Sequence, residues 1–426
     1  MGKTFREWNL EQSWLLPPSV RDFVPEGHIA HFVRDTIRED LDLTEILSCY
    51  SEERGYPPYH PVMMSALLLY SYCEGIYSSR RIAKACEQRV DFMAVTGMNK
   101  PDFRTISEFR KRHLKALGGL FIHILRLCQK AGLVTLGHVA LDGTRMRANA
   151  SRHKAMSYGR MNKAESELKA EVDKWFAEAE AIDRSEDEEH GRSRRGDEMP
   201  EWVAHKQKRL EKIREAKAVL EAEAREKAKA DGKKDNGPQD RAQRNFTDPE
   251  SAIMKMGDRF EQCYNAQAAV DAKSQVIVAQ ALTNESNDQR QLDPMVSEIK
   301  KNMGRHADEI SADAGYCSEE NLKKVNRRHI NAYIATGRQK HGRAAATGNK
   351  PFRKESRVHA MMVKLKQGGY RSRYRLRKQS VEPVFGQIKQ CRGFRQFLMR
   401  GVEKVSGEWA MLCSAHNLLK LSAVRV

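Results

Sequence analysis

The spacing of apolar residues divides the chain into a helical first third and a mixed remainder. Apolar residues recur at helical intervals in 60–76 and again in 114–133, and glycines and prolines separate these runs from their neighbours. This spacing predicts that residues 1–135 form a helical unit.

Two short helices with a turn between them are predicted at 78–97 and 100–113. Thr105, followed three residues later by Glu108, has the capping-box pattern and predicts the start of the second helix. That helix is basic, with Arg110, Lys111 and Arg112. Such a pair is typical of helix-turn-helix DNA readers. The alternative is an ordinary helix pair with a solvated basic face.

After residue 135, short runs typical of strands replace the helical spacing. They lie at 137–144, 264–272, 275–283, 308–316 and 330–336. Two segments between the later runs have helical spacing, 291–303 and 318–329. The expected fold class is therefore multidomain, α+β or α/β, with a helical N-terminal DNA-binding domain followed by a mixed-sheet core.

A highly charged segment, residues 161–240, interrupts the strand-containing part. It holds 18 Lys and Arg and 22 Asp and Glu residues, which leaves too few apolar residues for a core of its own. Residues 208–230 have acid–base pairs four positions apart, which support a helix. We expect an inserted helical hairpin with a polar loop near 190–200.

The charge of the chain indicates the kind of partner that it binds. The net charge of +18 favours a polyanion, and no apolar run approaches the roughly 20 residues that cross a membrane, so nucleic acid is expected. The most basic stretch, 338–378, has 14 Lys and Arg against one acid, Glu355, and predicts a phosphate-binding arm, the alternative being a solvated face.

The first residues lack the apolar core of a signal peptide, so a cytoplasmic, nucleoid-associated protein is expected. The eight cysteines form no CxxC pair, which argues against a disulfide framework and a zinc site.

Two aspartates follow apolar positions in strand-like runs. Asp142 alternates with Leu141 in the run 137–144, so it is expected to point away from the core at the end of a strand. Asp313 has the same place in its run, shortly before Gly315. Sites in open α/β sheets form at strand ends, so the two carboxylates can converge.

A third acid, Glu382, is expected in the first turn of a helix, where Pro383 is tolerated. Lys389 lies seven residues further on, about two turns, and so on the same face. Three carboxylates in basic surroundings fit divalent cations acting on a DNA backbone. Each acid alone has the alternative of a turn or cap residue. Asp288 is expected only to start a helix, and Asp271 is the first replacement if the trio is wrong.

Several motifs in one order carry a resemblance that covers most of residues 15–420. The segments are 60–97, 101–113, 141–158, 264–284, 311–322 and 381–401. Together they resemble a DDE transposase of a bacterial insertion sequence, in the broad IS4/IS5-like group with an InsH-type N-terminal domain.

The resemblance implies a ribonuclease H-like catalytic domain made of 136–160 and 241–426, with 161–240 inserted in it. Its catalytic and metal-binding residues would be Asp142, Asp313 and Glu382, holding two Mg²⁺ ions, with Mn²⁺ able to substitute. The partner would be DNA, as terminal inverted repeats and target, bound by a homodimer or larger assembly. The cations expected to contact DNA are Lys389, Arg145, Arg147, Arg152, His153, Lys154, Arg110, Arg112, Arg375, Arg377 and Lys378.

The chain departs from the family pattern in two places. The family signature has a Tyr seven residues and an Arg four residues before the Glu, whereas Tyr374 and Arg377 each stand one residue too early. The best-known relatives carry a mostly β insertion between the second Asp and the Glu, but Asp313 and Glu382 are only 69 residues apart. Hairpin-forming chemistry is therefore not carried over.

The activity that the resemblance implies is hydrolysis of DNA at the ends of the element, followed by strand transfer into target DNA. Two alternatives stay open. One is a metal-dependent nuclease or junction resolvase of the same fold, and the other is an inactive derivative that binds DNA as a repressor.

Overall fold

The computed structural model describes residues 19–50, 57–190, 201–230, 232, 234–339, 345–348 and 351–425. The first third of the chain is helical, as its apolar spacing predicts. The helices described there are α1 (Ile29–Glu39), α2 (Thr44–Leu47), α3 (Pro61–Cys73), α4 (Ser79–Gln88), α5 (Val90–Thr96), α6 (Phe103–Arg112) and α7 (Leu114–Lys130).

Helix α6 begins three residues earlier than the capping box predicts, because its N-cap is Asp102 and not Thr105. The carboxylate of Asp102 accepts hydrogen bonds from the backbone N–H groups of Arg104 (2.7 Å) and Thr105 (3.2 Å). The hydroxyl of Thr105 also donates to this carboxylate, at 2.6 Å. Asp102 is the cap because its charged carboxylate accepts these bonds more strongly than a hydroxyl would.

A mixed sheet forms where the alternating runs predict strands. The strands in chain order are β1 (His138–Arg147), β2 (Ala155–Ser157), β3 (Gln243–Asn245), β4 (Ala252–Met256), β5 (Arg259–Asp271), β6 (Ile277–Thr283), β7 (Glu309–Ala312) and β8 (Asn331–Ile334). The order across the larger sheet is β4–β5–β1–β7–β8, and β6 also pairs with β5. Strand β1 is antiparallel to β5 and parallel to β7. The five predicted strands are confirmed, whereas β2, β3 and β4 were not predicted.

The later helices are α8 (Tyr158–His190), α9 (Glu201–Ala230), α10 (Leu292–Met303), α11 (Glu319–Arg327), α12 (Arg357–Gly368), α13 (Leu376–Gly386) and α14 (Val402–Arg425). Helices α8 and α9 pack against each other over a small apolar cluster that includes Met161, Ile213 and Leu220, so the hairpin is confirmed. Its predicted polar loop lies almost entirely outside the described residues. None of the described helices has an apolar stretch long enough to cross a bilayer.

Helix α14 joins the helical first third to the sheet, because it packs against α3 and α7 on one side and against β6 on the other. Trp409 is fully buried and donates from Nε1 to the carbonyl oxygen of Gln267 in β5, at 3.1 Å. Asn417 bonds both the N–H and the C=O of Ile277 in β6, each at 2.9 Å. The described N-terminal helices and the sheet therefore share one continuous hydrophobic cluster.

Candidate active site

The parallel pairing of β1 with β7 brings Asp142 and Asp313 to the same part of the sheet. His138 pairs with Glu309, and the next two positions keep the same register. Each aspartate lies four residues beyond this first pair. The register, continued, sets the two side by side on neighbouring chain segments.

The alternation predicts Asp142 at the end of its strand. This is wrong, because Asp142 lies inside β1. Strand β1 runs on to Arg147 because β5 pairs with it along this length, with Asp142 opposite Ala268 and Arg147 opposite Cys263. Asp142 is 9% exposed. Asp313 does follow the last residue of its strand, and its Oδ1 accepts a hydrogen bond from the N–H of Gly315 at 2.9 Å.

Glu382 lies in the middle of α13, which begins at Leu376, and not in the first turn of a helix. Pro383 is inside this helix and has no N–H to donate to the carbonyl oxygen of Gln379, four residues earlier. Gln275 supplies the missing donor, since its Nε2 bonds that carbonyl at 3.0 Å. Gln275 lies in the turn between β5 and β6, and its hydrogen bond replaces the one that Pro383 cannot donate.

Arg377 connects two of the three acids. One guanidinium nitrogen donates to Oδ2 of Asp142 at 2.7 Å, and another donates to Oε1 of Glu382 at 2.8 Å. The side chains of Arg377 and Asp142 are each 12% exposed, whereas that of Glu382 is 45% exposed. The Nε atom of Arg377 is buried and has no partner among the described residues. The guanidinium group thus stands between the two carboxylates.

The carboxylates of Asp142 and Asp313 are desolvated and near enough for their charges to interact. Burial raises the pKa of Asp142 to about 6, although Arg377 acts in the opposite direction. The charge of Asp313 contributes to that rise, and burial raises the pKa of Asp313 as well. Buried carboxylates in such proximity are unfavourable unless a cation lies beside them. In this structure that cation is Arg377.

The chemistry of the acids fits a divalent cation, because hard cations such as Mg²⁺ and Mn²⁺ prefer carboxylate oxygens. The guanidinium between Asp142 and Glu382 shows that this place favours positive charge. Over the described part of the chain, no three Asp, Glu, His or Cys side chains surround a common metal position. The residue types therefore suit a divalent cation, whereas in this arrangement Arg377 takes the position between Asp142 and Glu382.

Lys389 lies in a π-helical turn, Gln387–Cys391, that continues α13. Its Nζ donates to the carbonyl oxygen of Arg145 at 2.9 Å and to the hydroxyl of Thr144, and burial lowers its pKa. Lys389 borders a cavity of about 510 Å³, which we call the basic groove. Its basic lining residues are Arg147, Arg259, Lys389 and Arg395. Arg259 and Arg395 were not predicted, since nothing in their spacing distinguishes them from other surface cations.

Most of the other cations expected to contact DNA are at the surface. The exposed ones are Arg112, Arg145, Arg147, Arg152, His153, Lys154, Arg375 and Lys378. Arg110 differs, because it is 5% exposed and its guanidinium donates to the carbonyl oxygen of Tyr77 (2.7 Å) and the hydroxyl of Ser79 (3.0 Å). Arg110 therefore ties α6 to the start of α4 and is not on a surface that DNA reaches.

The basic arm, 338–378, is described only in part, since positions 340–344 and 349–350 lie outside the described residues. Arg373 in the arm pairs with Glu309 of β7 at 2.6 Å. Lys364 donates to the carbonyl oxygen of Ala332 in β8 at 2.8 Å. These two cations hold the arm on the β7–β8 side of the sheet.

Two further acids have roles that their local sequence does not show. Asp271 is fully buried and accepts hydrogen bonds from the N–H groups of Thr135 (3.1 Å) and Leu136 (2.7 Å), so it fixes the entry to β1. Asp288 does start a short helix, the 3₁₀ turn Asp288–Gln291. Its charge also contributes to the raised pKa of Asp313, which places it at the candidate site.

Comparison with protein families gives two matches. Residues 18–112 match a transposase domain (DUF772), and residues 229–418 match a transposase DDE domain. The second match includes Asp313 and Glu382 and begins after Asp142. No curated protein and no solved structure matches the chain.

Proposed function

We propose, from the premise that this chain belongs to the DDE transposases of insertion sequences, that it cleaves DNA at the ends of its element and joins those ends to target DNA. Asp142, Asp313 and Glu382 are the catalytic acids in this proposal. The observation that carries it is the contact of Arg377 with both Asp142 and Glu382, beside Asp313. Two acids from distant parts of the chain contact this cation, and the third, Asp313, is near enough for its charge to act on it.

The mixed sheet supports a ribonuclease H-like core for this chemistry. Asp142 lies in β1, Asp313 directly follows the parallel β7, and α13, which contains the glutamate, lies against β1. Two Mg²⁺ ions, or Mn²⁺ in their place, would be held by the three carboxylates and would supply Lewis-acid stabilisation of the phosphodiester and an activated water or 3′-hydroxyl. The chain itself orients the acids, because the paired strands and the shared hydrophobic core fix the segments that bear them.

The surface around the acids supports DNA as substrate. The basic groove lies next to the continuation of β1 beyond Asp142, and Lys389 connects the groove to that strand. Phosphates neutralised there would make binding fall steeply with salt concentration. The exposed cations of the N-terminal helices and of the basic arm would hold the terminal inverted repeats. Pairing of two ends requires a dimer or a larger assembly on DNA.

The test is a joining assay. Pre-cleaved element ends, a supercoiled plasmid and Mg²⁺ are incubated with the wild type, with Asp313→Asn and with Asp308→Asn. The wild type should join ends to the plasmid, and Asp313→Asn should bind ends but join none. Asp308, an exposed acid paired with Arg305 just before β7, is the matched control and should leave joining unchanged.

Two results would decide against the proposal. Joining by Asp313→Asn at the wild-type rate would remove this residue from the catalytic trio. Cleavage of DNA by the wild type without any joining would instead favour a nuclease or resolvase of the same fold.

A further inference from the structure

Asp288 is an acid whose position is determined by two buried amides. Its Oδ1 accepts hydrogen bonds from Nδ2 of Asn265 at 2.6 Å and from Nε2 of Gln267 at 2.7 Å. Both amides belong to β5 and are at most 2% exposed. Two donors on one oxygen fix the direction of the carboxylate and leave its other oxygen, Oδ2, for a different partner.

A hydrogen bond from Tyr316 sets the orientation of Gln267. The buried Tyr316 hydroxyl donates to Oε1 of Gln267, so the amide nitrogen of Gln267 must face Asp288. Tyr316 follows Asp313 by three residues. A chain of contacts therefore runs from the segment after the second aspartate, through β5, to Asp288.

The glycines beside the two aspartates make room for this carboxylate. A Cβ atom on Gly143, which follows Asp142, would lie only 2.6 Å from Oδ1 of Asp288. A Cβ atom on Gly315 would lie 3.2 Å from its Oδ2. Asp288 thus stands against the backbone of both segments that carry the aspartates, and a side chain at Gly143 would displace it.

We propose that Asp288 is a positioning residue of the candidate active site, acting through Asp313 to strengthen the binding of divalent cations. The inference rests on the proposed function. Oδ1 of Asp313 and Oδ2 of Asp288 lie 3.0 and 3.2 Å from the same Cβ position on Gly315, so the two carboxylates are neighbours. A divalent cation relieves the repulsion between their charges. The amides of Asn265 and Gln267 keep the charge of Asp288 in place.

A purely structural role for Asp288 makes a different prediction. As an acceptor for two amides, it would be replaced adequately by asparagine, whose side-chain oxygen has the same shape and position. Aspartate and asparagine at position 288 would differ mainly in charge. Asp288→Asn is therefore the decisive variant, and Asp288→Glu, which keeps the charge, is its conservative partner.

The experiment is calorimetric titration of the full chain with Mn²⁺ in the absence of DNA. Asp288→Asn should bind Mn²⁺ about tenfold more weakly, at the lower end of effects for residues that support metal ligands. Asp288→Glu should lie closer to the wild type than Asp288→Asn does. Glu285→Gln is the matched control, because it removes one charge three residues earlier from a carboxylate that contacts Gln291 and Arg290; its affinity should change less than twofold.

The unfolding midpoint of Asp288→Asn in EDTA should equal or exceed that of the wild type, since the hydrogen bonds stay and a repulsion is lost. Wild-type Mn²⁺ affinity in Asp288→Asn would overturn the inference. Asp313→Asn in the same titration separates this failure from that of the proposed function. If Asp313→Asn weakens binding and Asp288→Asn does not, only the role of Asp288 is wrong, whereas unchanged binding in both removes the cation site itself.

Discussion

Replacing Arg377 by glutamine should lower the stability of the cation-free protein and increase its affinity for divalent cations. The pair with Asp142 is mostly buried, with both side chains 12% exposed. Removing one partner of a fully buried pair costs about 3–5 kcal/mol, so a loss of about 2–3 kcal/mol is expected here. The pair with Glu382 adds at most about 1 kcal/mol, because Glu382 is 45% exposed.

The same contacts set the expected change in cation binding. In the wild type a divalent cation must take the carboxylates of Asp142 and Glu382 from Arg377, so its apparent affinity is reduced by the free energy of breaking these pairs. Without the guanidinium there are no ion pairs to break. Each 1.4 kcal/mol of binding free energy gained in this way lowers the dissociation constant about tenfold. For about 2–3 kcal/mol regained, Arg377→Gln should therefore bind Mn²⁺ roughly thirtyfold to a hundredfold more tightly.

Two measurements check this prediction, denaturant unfolding with EDTA or with saturating Mn²⁺, and calorimetric titration with Mn²⁺. The added cation should stabilise Arg377→Gln more than the wild type. Arg373→Gln is the matched control, since it removes an arginine from the same segment and breaks its pair with Glu309. The control should lose about 1 kcal/mol or less and keep the wild-type Mn²⁺ affinity. Equal or weaker Mn²⁺ binding by Arg377→Gln would refute the idea that the guanidinium occupies the place of a cation.

Three other predictions concern packing, pH and DNA binding. Gly143→Ala should lower the free energy of unfolding by about 1–3 kcal/mol, because its Cβ would lie 2.3 Å from Nε2 of Gln267. The control Gly119→Ala, on an open face of α7, should raise it by about 0.5–1 kcal/mol. Equal effects of the two substitutions in denaturant unfolding would contradict the close packing at Gly143. Burial raises the pKa of Glu408 to about 7, so between roughly pH 4.5 and 7 the folded protein keeps a proton that the unfolded chain has released, and stability falls as pH rises. Glu408→Gln should lose this dependence, so its unfolding free energy should rise by roughly 2 kcal/mol relative to that of the wild type between pH 5 and 8. The same difference between variant and wild type at both pH values would count against it. Arg147→Gln should reduce the slope of log affinity for duplex DNA against log salt by about 0.9, and an unchanged slope in filter-binding or anisotropy titrations would exclude Arg147 from phosphate contact.

Local pattern was sufficient to identify most elements. Apolar spacing predicted the N-terminal helices, and alternation predicted the strand that contains Asp142 and the strand that ends just before Asp313, because both signals depend on residues a few positions apart. Element ends were less accurate. Strand β1 extends past Asp142 because β5 pairs with it, and α13 continues through Pro383 with Gln275 as the substitute donor. Both partners lie more than 100 residues away in the chain.

The charge pattern had a similar limit. The sequence indicated a nucleic-acid partner from its net charge and its basic stretches, since these are sums that do not depend on the fold. It could not indicate that Arg110 is buried against Tyr77 and Ser79, or that Arg377 faces two acids, because identical guanidinium groups differ only in what surrounds them.

The sequence by itself determined the types of the elements, the basic character of the surface and, through ordered motifs, three candidate acids. Only the tertiary structure decided how these acids stand relative to one another. The register of β1 with β7 aligns Asp142 and Asp313, Arg377 separates Asp142 from Glu382, and two amides of β5 place Asp288 beside them. These relations arise from pairing between segments far apart in the chain, where the free energy of packing and hydrogen bonding sets positions that no local pattern contains.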